Sequence, residues 1–272
     1  MTAVTRIGYI ARRILQNRYG GCVIAVFDRS AYVEVGRELI CLISPTLDDG
    51  PLSVACGDLD ALHPGMRYAP KIGNARIWLP PKPYGWTADS LVGGLAALRC
   101  AVVGRTPSAG LGAFVSDEVL SPEGARARLP TARLGLWLAD SLAGKRDSVP
   151  SETGNLIGLG PGLTPSGDDF LGGAMVAAHA LDRADIAAHL YETIETHDVG
   201  AISAAHLAAA SEGAASEPLH LLLNDVLCGR GGALPARLTA LDRMGHTSGW
   251  DALAGAVMVM RAVRDTAAMR AA

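Results

Sequence analysis

Seven residues, Pro80-Pro81-Lys82-Pro83-Tyr84-Gly85-Trp86, divide this chain into two kinds of sequence. Three of the seven are proline, which neither donates to a sheet ladder nor fits a helix interior, so the stretch reads as a linker or rigid turn. Before it come short β-branched runs bounded by Gly, Asp and Pro. GCVIAVFDRSAYVEV and ELICLIS partly alternate, and SVACG and ARIWLP are further strand candidates. After it, alanine and leucine dominate. Eight segments, from SLVGGLAALRCAVV to DALAGAVMVMRAVRD, suit helices by composition and rough 3.6-residue spacing. The expectation is an α+β fold. A β-rich N-terminal region, residues 1–84, packs on a larger, mainly helical region, residues 85–272, as two domains or one continuous one.

Composition narrows the function classes. With 49% hydrophobic and 19% charged residues, the 272-residue chain can bury a real core. A net charge of −3 and a pI near 6.2 give no electrostatic footprint for nucleic acid. Arg99 and His179 interrupt the longest apolar stretches, so no membrane span is expected. The N-terminal MTAVTRIGYIARRILQNRYGG lacks a continuous apolar segment and a cleavage site, which makes the cytoplasm the expected location. Five scattered cysteines (Cys22, Cys41, Cys56, Cys100, Cys228) contain no CxxC pair and read as small buried hydrophobes in a reducing compartment.

Residues Gly158–Gly173, GLGPGLTPSGDDFLGG, hold six glycines, two prolines and two adjacent aspartates just before an alanine-rich helical run. Ser166 has the chemistry of an N-cap, and Asp169 stands three residues later at capping-box spacing, which accounts for both without any function. The preceding GLGPGLTP needs another reason. Glycines and prolines together fix an unusual backbone path, either as a tight turn or as a cradle of amides for a small anion. On the second reading Gly160, Gly162, Thr164, Ser166 and Gly167 bind the anion. Asp168 is then free to act as a base or, with Mg²⁺ as the candidate cation, as a metal ligand. The spacing fits neither GxxxxGK[ST] nor GxGxxG.

A second stretch shares the frame. Ser166-Gly167-Asp168-Asp169-Phe170-Leu171-Gly172-Gly173-Ala174 and Ser248-Gly249-Trp250-Asp251-Ala252-Leu253-Ala254-Gly255-Ala256 both follow S-G-x-D-x-L-x-G-A. Two helix starts facing one site, with Gly173 and Gly255 allowing close helix approach, is the arrangement this predicts. Asp251 then repeats the capping role of Asp169. His246, with Thr247 and Ser248 beside it, is a candidate acid, base or substrate ligand. His179, His189, His206 and His220 fall in apolar helical runs and read as ordinary helix-face residues, and His63 falls in a loop. His197-Asp198 precedes a run in which Ser203 is a capping or binding candidate. In the N-terminal region Arg76 of GNARIWLP offers positive charge for a carboxylate or phosphate, although an exposed strand arginine is the commoner reading.

GLGPGLTPSGDDFLGG, AISAAHLAAASEG and GHTSGWDALAG together resemble a bacterial family that includes the AllH-type subunit of oxamate carbamoyltransferase. GCVIAVFDRSAYVEV and RIWLPP sit where that family has similar elements. The resemblance implies a role in allantoin and purine nitrogen catabolism, in a complex with other protein subunits. Its substrates would be small anions: oxalurate and phosphate are converted to oxamate and carbamoyl phosphate. The Ser-x-Arg-Thr loop of ordinary transcarbamoylases is missing from the chain. More faintly, PSGDDFLGGAM resembles the GAGDxFxxG helix start of ribokinase-like phosphotransferases, without the alternating βα pattern expected upstream. A third reading is a non-catalytic subunit that binds a ligand or partner.

Overall fold

The computed structural model describes residues 4–16, 20–57, 59–145 and 148–271. The chain divides into two units, one made of Met1–Pro80 and Ala214–Glu217, the other of Pro81–Gly213 and Pro218–Ala272.

The first unit carries a seven-stranded sheet of order β6-β2-β3-β4-β5-β1-β7 among the described residues. The expected GCVIAVFDRSAYVEV run forms β2 (Gly21–Val26) and β3 (Ser30–Val35), an antiparallel hairpin with a register shift between Val23 and Ala25. β4 (Glu38–Ile43) pairs antiparallel with β3 and parallel with β5 (Ser53–Ala55). β7 (Arg76–Trp78) runs parallel to β1 (Arg6–Gly8), and β6 (Arg67–Tyr68) closes the opposite edge. Alternation puts Val33, Ile40, Leu42, Val54 and Ile7 out of water entirely. β1 and the helix α1 (Tyr9–Leu15) were not expected from sequence. Gly8 joins them at a point where a Cβ would overlap the carbonyl oxygens of Gly50 and Pro51, so only glycine fits.

The second unit is helical: α2 (Ala88–Ala101), α3 (Pro122–Leu142), α4 (Ser166–Ala180), α5 (Ala184–Glu195), α6 (Ala201–Ser211), α7 (Glu217–Leu227), α8 (Leu234–Leu241) and α9 (Ser248–Ala271). The single residue Glu217 of α7 belongs to the first unit. Among the described residues no helix is long and apolar enough to cross a membrane. The segregation of strand and helix makes this an α+β protein.

Helix α4 is the axis of the helical unit. A surface helix buries one stripe, but α4 is buried nearly all round, from Phe170 and Leu171 to Val176 and Ala178. It packs against α5, α6 and above all α9. Its small residues make that possible. A Cβ at Gly173 would overlap the Ala252 carbonyl, and a Cβ at Gly255 would overlap the Phe170 carbonyl. The two helix backbones therefore touch at both positions. The burial of Leu253, Ala256, Val257, Val259 and Met260 completes this seam at roughly 25 cal/mol per Å² of apolar surface removed from water.

Candidate functional site

The close contact of α4 and α9 brings their first turns together, and with them the two S-G-x-D motifs. The pairing is reciprocal. Asp169 of α4 sits against the hydroxyl of Ser248 in α9, and Asp251 of α9 sits against the hydroxyl of Ser166 in α4. Thr164 Oγ1 and Ser248 Oγ lie 3.3 Å apart across the junction. Matching residues of the two motifs exchange partners, as a local two-fold relation between the helix starts would require.

The capping expectation fails at Ser166. The helix begins at this residue, its N-cap is Pro165, and no side chain caps the end. Ser166 is buried and turned toward Asp251, while Asp169 faces Ser248 and Thr164 rather than its own cap amide. The physical reason is register: Pro165 takes the N-cap, so Ser166 is the first helical residue and its hydroxyl is free to face Asp251 of the other motif. Asp251 Oδ1 likewise accepts the amide of Leu111, and the carboxyl lies beside the amide of Gly112.

Asp168 is buried, and both of its oxygens are occupied. Oδ1 accepts the amide of Gly158 at 2.7 Å, and Oδ2 accepts the hydroxyl of Ser203 of α6 at 2.6 Å. Ser203 is itself 1% exposed. One carboxylate thus ties the glycine loop, α4 and α6 together. Asp169 and Asp251 differ from it, because Oδ2 of each is buried without a hydrogen-bond partner. Burial pushes the Asp169 carboxyl well above the usual carboxylate range. The hydroxyls of Ser248 and Thr164 oppose this and the neighbouring negative charge of Asp251 adds to it. Burial also raises Asp251, against the pull of the Leu111 amide and the Thr247 and Ser166 hydroxyls.

The loop that leads into α4 follows the unusual path expected of it. Gly158, Gly160 and Gly162 have φ of 71°, 111° and 98°, the left-handed region that favours glycine. Gly162 has open space around its Cα, so its dihedral alone requires glycine, whereas a Cβ at Gly160 would press on Ser166. Gly167 approaches so closely that a Cβ would overlap the Leu156 carbonyl, and its own amide is spent on the Leu159 carbonyl at 2.9 Å. By contrast, among the described residues, the amides of Gly160, Gly162, Leu163 and Thr164 make no hydrogen bond within the chain. Pro161, Gly162 and Leu163 are exposed, and Gly160 and Thr164 are half-buried.

His246 and Thr247 precede α9, with His246 exposed and Thr247 half-buried against Asp251. Arg76 lies in the β unit, where its guanidinium pairs with Asp49 at 3.3 Å beside the Arg6–Asp49 pair at 2.9 Å. His197 makes local contacts at the end of α5, its Nδ1 facing the Thr193 carbonyl at 3.0 Å. The structure thus brings Thr164, Ser166, Asp169, Thr247, Ser248 and Asp251 together, with Asp168 and Ser203 bracing them. Sequence reasoning missed Gly110, Leu111 and Gly112, which hold Asp251 from outside both motifs. The available signal was their Gly-Leu-Gly triplet, the same as residues 158–160. Among the described residues no three carboxylates, imidazoles or thiolates converge as a metal cluster.

No curated protein and no solved structure matches the chain. Residues 156–260, which contain all three stretches that carry the resemblance, both S-G-x-D motifs and the α4–α9 seam, match the family described as oxamate carbamoyltransferase subunit AllH.

Proposed function

We propose that this chain is a subunit of an oxamate carbamoyltransferase that converts oxalurate and phosphate to oxamate and carbamoyl phosphate. Its phosphate or carboxylate site is the backbone of the 158–164 loop, since the hydroxyls of Ser166, Thr247 and Ser248 are turned to Asp251 and Asp169. The observation that carries this reading is that, among the described residues, the amides of Gly160, Gly162, Leu163 and Thr164 make no hydrogen bond within the chain, on a loop immediately before the start of α4 whose Gly162 and Leu163 are exposed. A helix N-terminus adds roughly half a unit of positive charge, which favours an anion there.

The chemistry fits such a place. In the forward direction a phosphate oxygen attacks the carbamoyl carbon of oxalurate and the bond from that carbon to the oxamate nitrogen breaks. The nitrogen takes up a proton, and the phosphate proton is released. Backbone amides bind the phosphate and stabilise the oxyanion that develops on the carbamoyl oxygen. His246, exposed beside Thr247, is the side chain we assign to the proton transfer. Asp168 we assign to positioning, since its two hydrogen bonds fix Gly158 and α6. A ribokinase-like reading has less support, because the sheet is mixed, with β2, β3 and β4 antiparallel, and lacks a doubly wound parallel order.

Calorimetric titration of the purified chain with phosphate and with carbamoyl phosphate tests the site. Saturable binding in the wild type, lost in folded Gly162→Ala and retained in Arg76→Ala, is the expected result. Binding that survives in folded Gly162→Ala would remove the loop from the site. Binding to the loop without carbamoyl transfer, even with partner subunits added, would assign the chain a ligand-binding rather than a catalytic part.

A further inference from the structure

Two carboxylates at the α4–α9 junction stand out. Asp251 is fully buried, and Oδ2 of Asp251 and Oδ2 of Asp169 are both buried without a hydrogen-bond partner. Native structures rarely leave such acceptors unpaired, and an ionised one is the costliest to leave. Among the described residues no Arg, Lys or His forms an ion pair with Asp168, Asp169 or Asp251. The positive ends of α4 and α9 supply roughly half a charge each, which falls short of three carboxylates by about two charges.

We propose that one divalent hard cation is held between Asp169 Oδ2 and Asp251 Oδ2, with the hydroxyls of Ser166, Ser248 and Thr164 as neutral oxygen ligands. Several observations agree. Every group on offer is oxygen, which suits Mg²⁺ or Ca²⁺ and disfavours zinc or copper. The two carboxylates come from opposite motifs, so the ion sits where the reciprocal serine–aspartate exchange converges. Each carboxylate also disfavours ionisation of its neighbour while the pair stands alone, a repulsion that a cation cancels. Asp168, the metal-ligand candidate expected from sequence, already accepts Gly158 on one oxygen and Ser203 on the other, so the unpaired Oδ2 atoms of Asp169 and Asp251 are the better-placed ligands. The site adjoins the glycine loop through Thr164, so the ion is placed to neutralise charge beside a bound anion without belonging to the amide cradle.

The test uses the full chain, stripped with a chelator and titrated with Mn²⁺, following loss of the free-ion signal by electron paramagnetic resonance. One Mn²⁺ bound per chain is expected, displaced by Mg²⁺ or Ca²⁺ and not by equal K⁺. Asp169→Asn should weaken Mn²⁺ at least tenfold, whereas Asp140→Asn, on a surface pair with Lys145, should leave it unchanged. Asp251 also accepts the Leu111 amide, so Asp169→Asn with intact circular dichroism is the deciding variant and Ser248→Ala the second. Absence of stoichiometric binding would overturn the proposal, as would Mn²⁺ binding that persists in folded Asp169→Asn. If the metal-free wild type binds nothing while Asp169→Asn resists urea better, a proton shared by the pair takes the place of the ion. No substrate enters the measurement, so its failure leaves the carbamoyl-transfer reading untouched, and the reverse holds as well.

Discussion

The Cα of Gly255 in α9 rests against the carbonyl oxygen of Phe170 in α4, with no room for a Cβ between them. Gly173 makes the matching contact with Ala252, so the helix starts that carry both motifs are set by two glycines. Gly255→Ala or Gly173→Ala forces the backbones apart and should cost about 3 kcal/mol, the upper range for overpacking. Gly135→Ala in α3 is the control. A Cβ there meets nothing, and removing a helix-interior glycine should raise stability by about 1 kcal/mol. Urea denaturation of the three variants measures both effects.

Ser203→Ala tests the brace under the glycine loop. The hydroxyl is the partner of Asp168 Oδ2 in a buried setting, so its loss leaves a buried carboxyl oxygen unpaired. A destabilisation of about 2 kcal/mol is expected. Amide hydrogen exchange should quicken at Gly158, whose bond to the same carboxylate is loosened. Unchanged exchange there would mean that the loop is held without Asp168.

Acid sensitivity has an identifiable source in α6 and α7. Burial pushes the imidazoles of His206 and His220 down to about 4 from an ordinary 6.5. Folded protein therefore keeps them neutral where the unfolded chain takes up protons. Stability from this source is complete above about pH 6.5 and is lost progressively as pH falls toward 4. For His220, 7% exposed, the full loss is about 3 kcal/mol. The raised carboxyls of Asp169 and Asp251 act with the opposite sign, so the measurement is the difference: between pH 7.5 and 4.5 the urea midpoint of the wild type should fall relative to that of His220→Leu.

Cysteine reactivity should separate the five thiols. Cys100 is exposed on α2, whereas burial pushes the Cys41 thiol up to about 12 and Cys56 is buried. Thiolate is the reactive form, so alkylation of native protein at pH 8 should label Cys100 first. Cys41 and Cys56 should react only when the sheet opens. Mass spectrometry of the labelled peptides reads the order.

Elements governed by local pattern were legible in the chain. The β2–β3 hairpin, β4, α4, α6 and α9 follow from β-branched alternation or alanine-rich periodicity, and the turn from Pro80 onward holds no strand or helix until α2. β1, α1 and β6 were not legible: unlike the β-branched runs behind β5 and β7, RIG and RY carry no strand pattern of their own and take their place by pairing with distant chain. At the site, the close approach of Gly173 and Gly255 could be read from the repeated frame. The direction of the side chains could not. A serine followed three residues later by an aspartate describes a capping box in isolation, and only the second helix start turns Ser166 and Ser248 toward each other's aspartates. The contribution of Gly110 and Leu111 was marked only by the Gly-Leu-Gly triplet they share with residues 158–160, which does not say that the Leu111 amide meets Asp251.

The short return of Ala214–Glu217 to the first unit, with the Glu217 amide bonded to the Asp49 carbonyl at 2.8 Å, has a consequence for synthesis. The strands leave the ribosome first, yet their unit lacks its last four residues until α6 and the turn after it have been made. Domains generally fold as units during synthesis, the N-terminal one first. This one waits for more than half of the helical unit, so the nascent strands spend that interval incomplete, and a fragment ending near Pro80 would remain so.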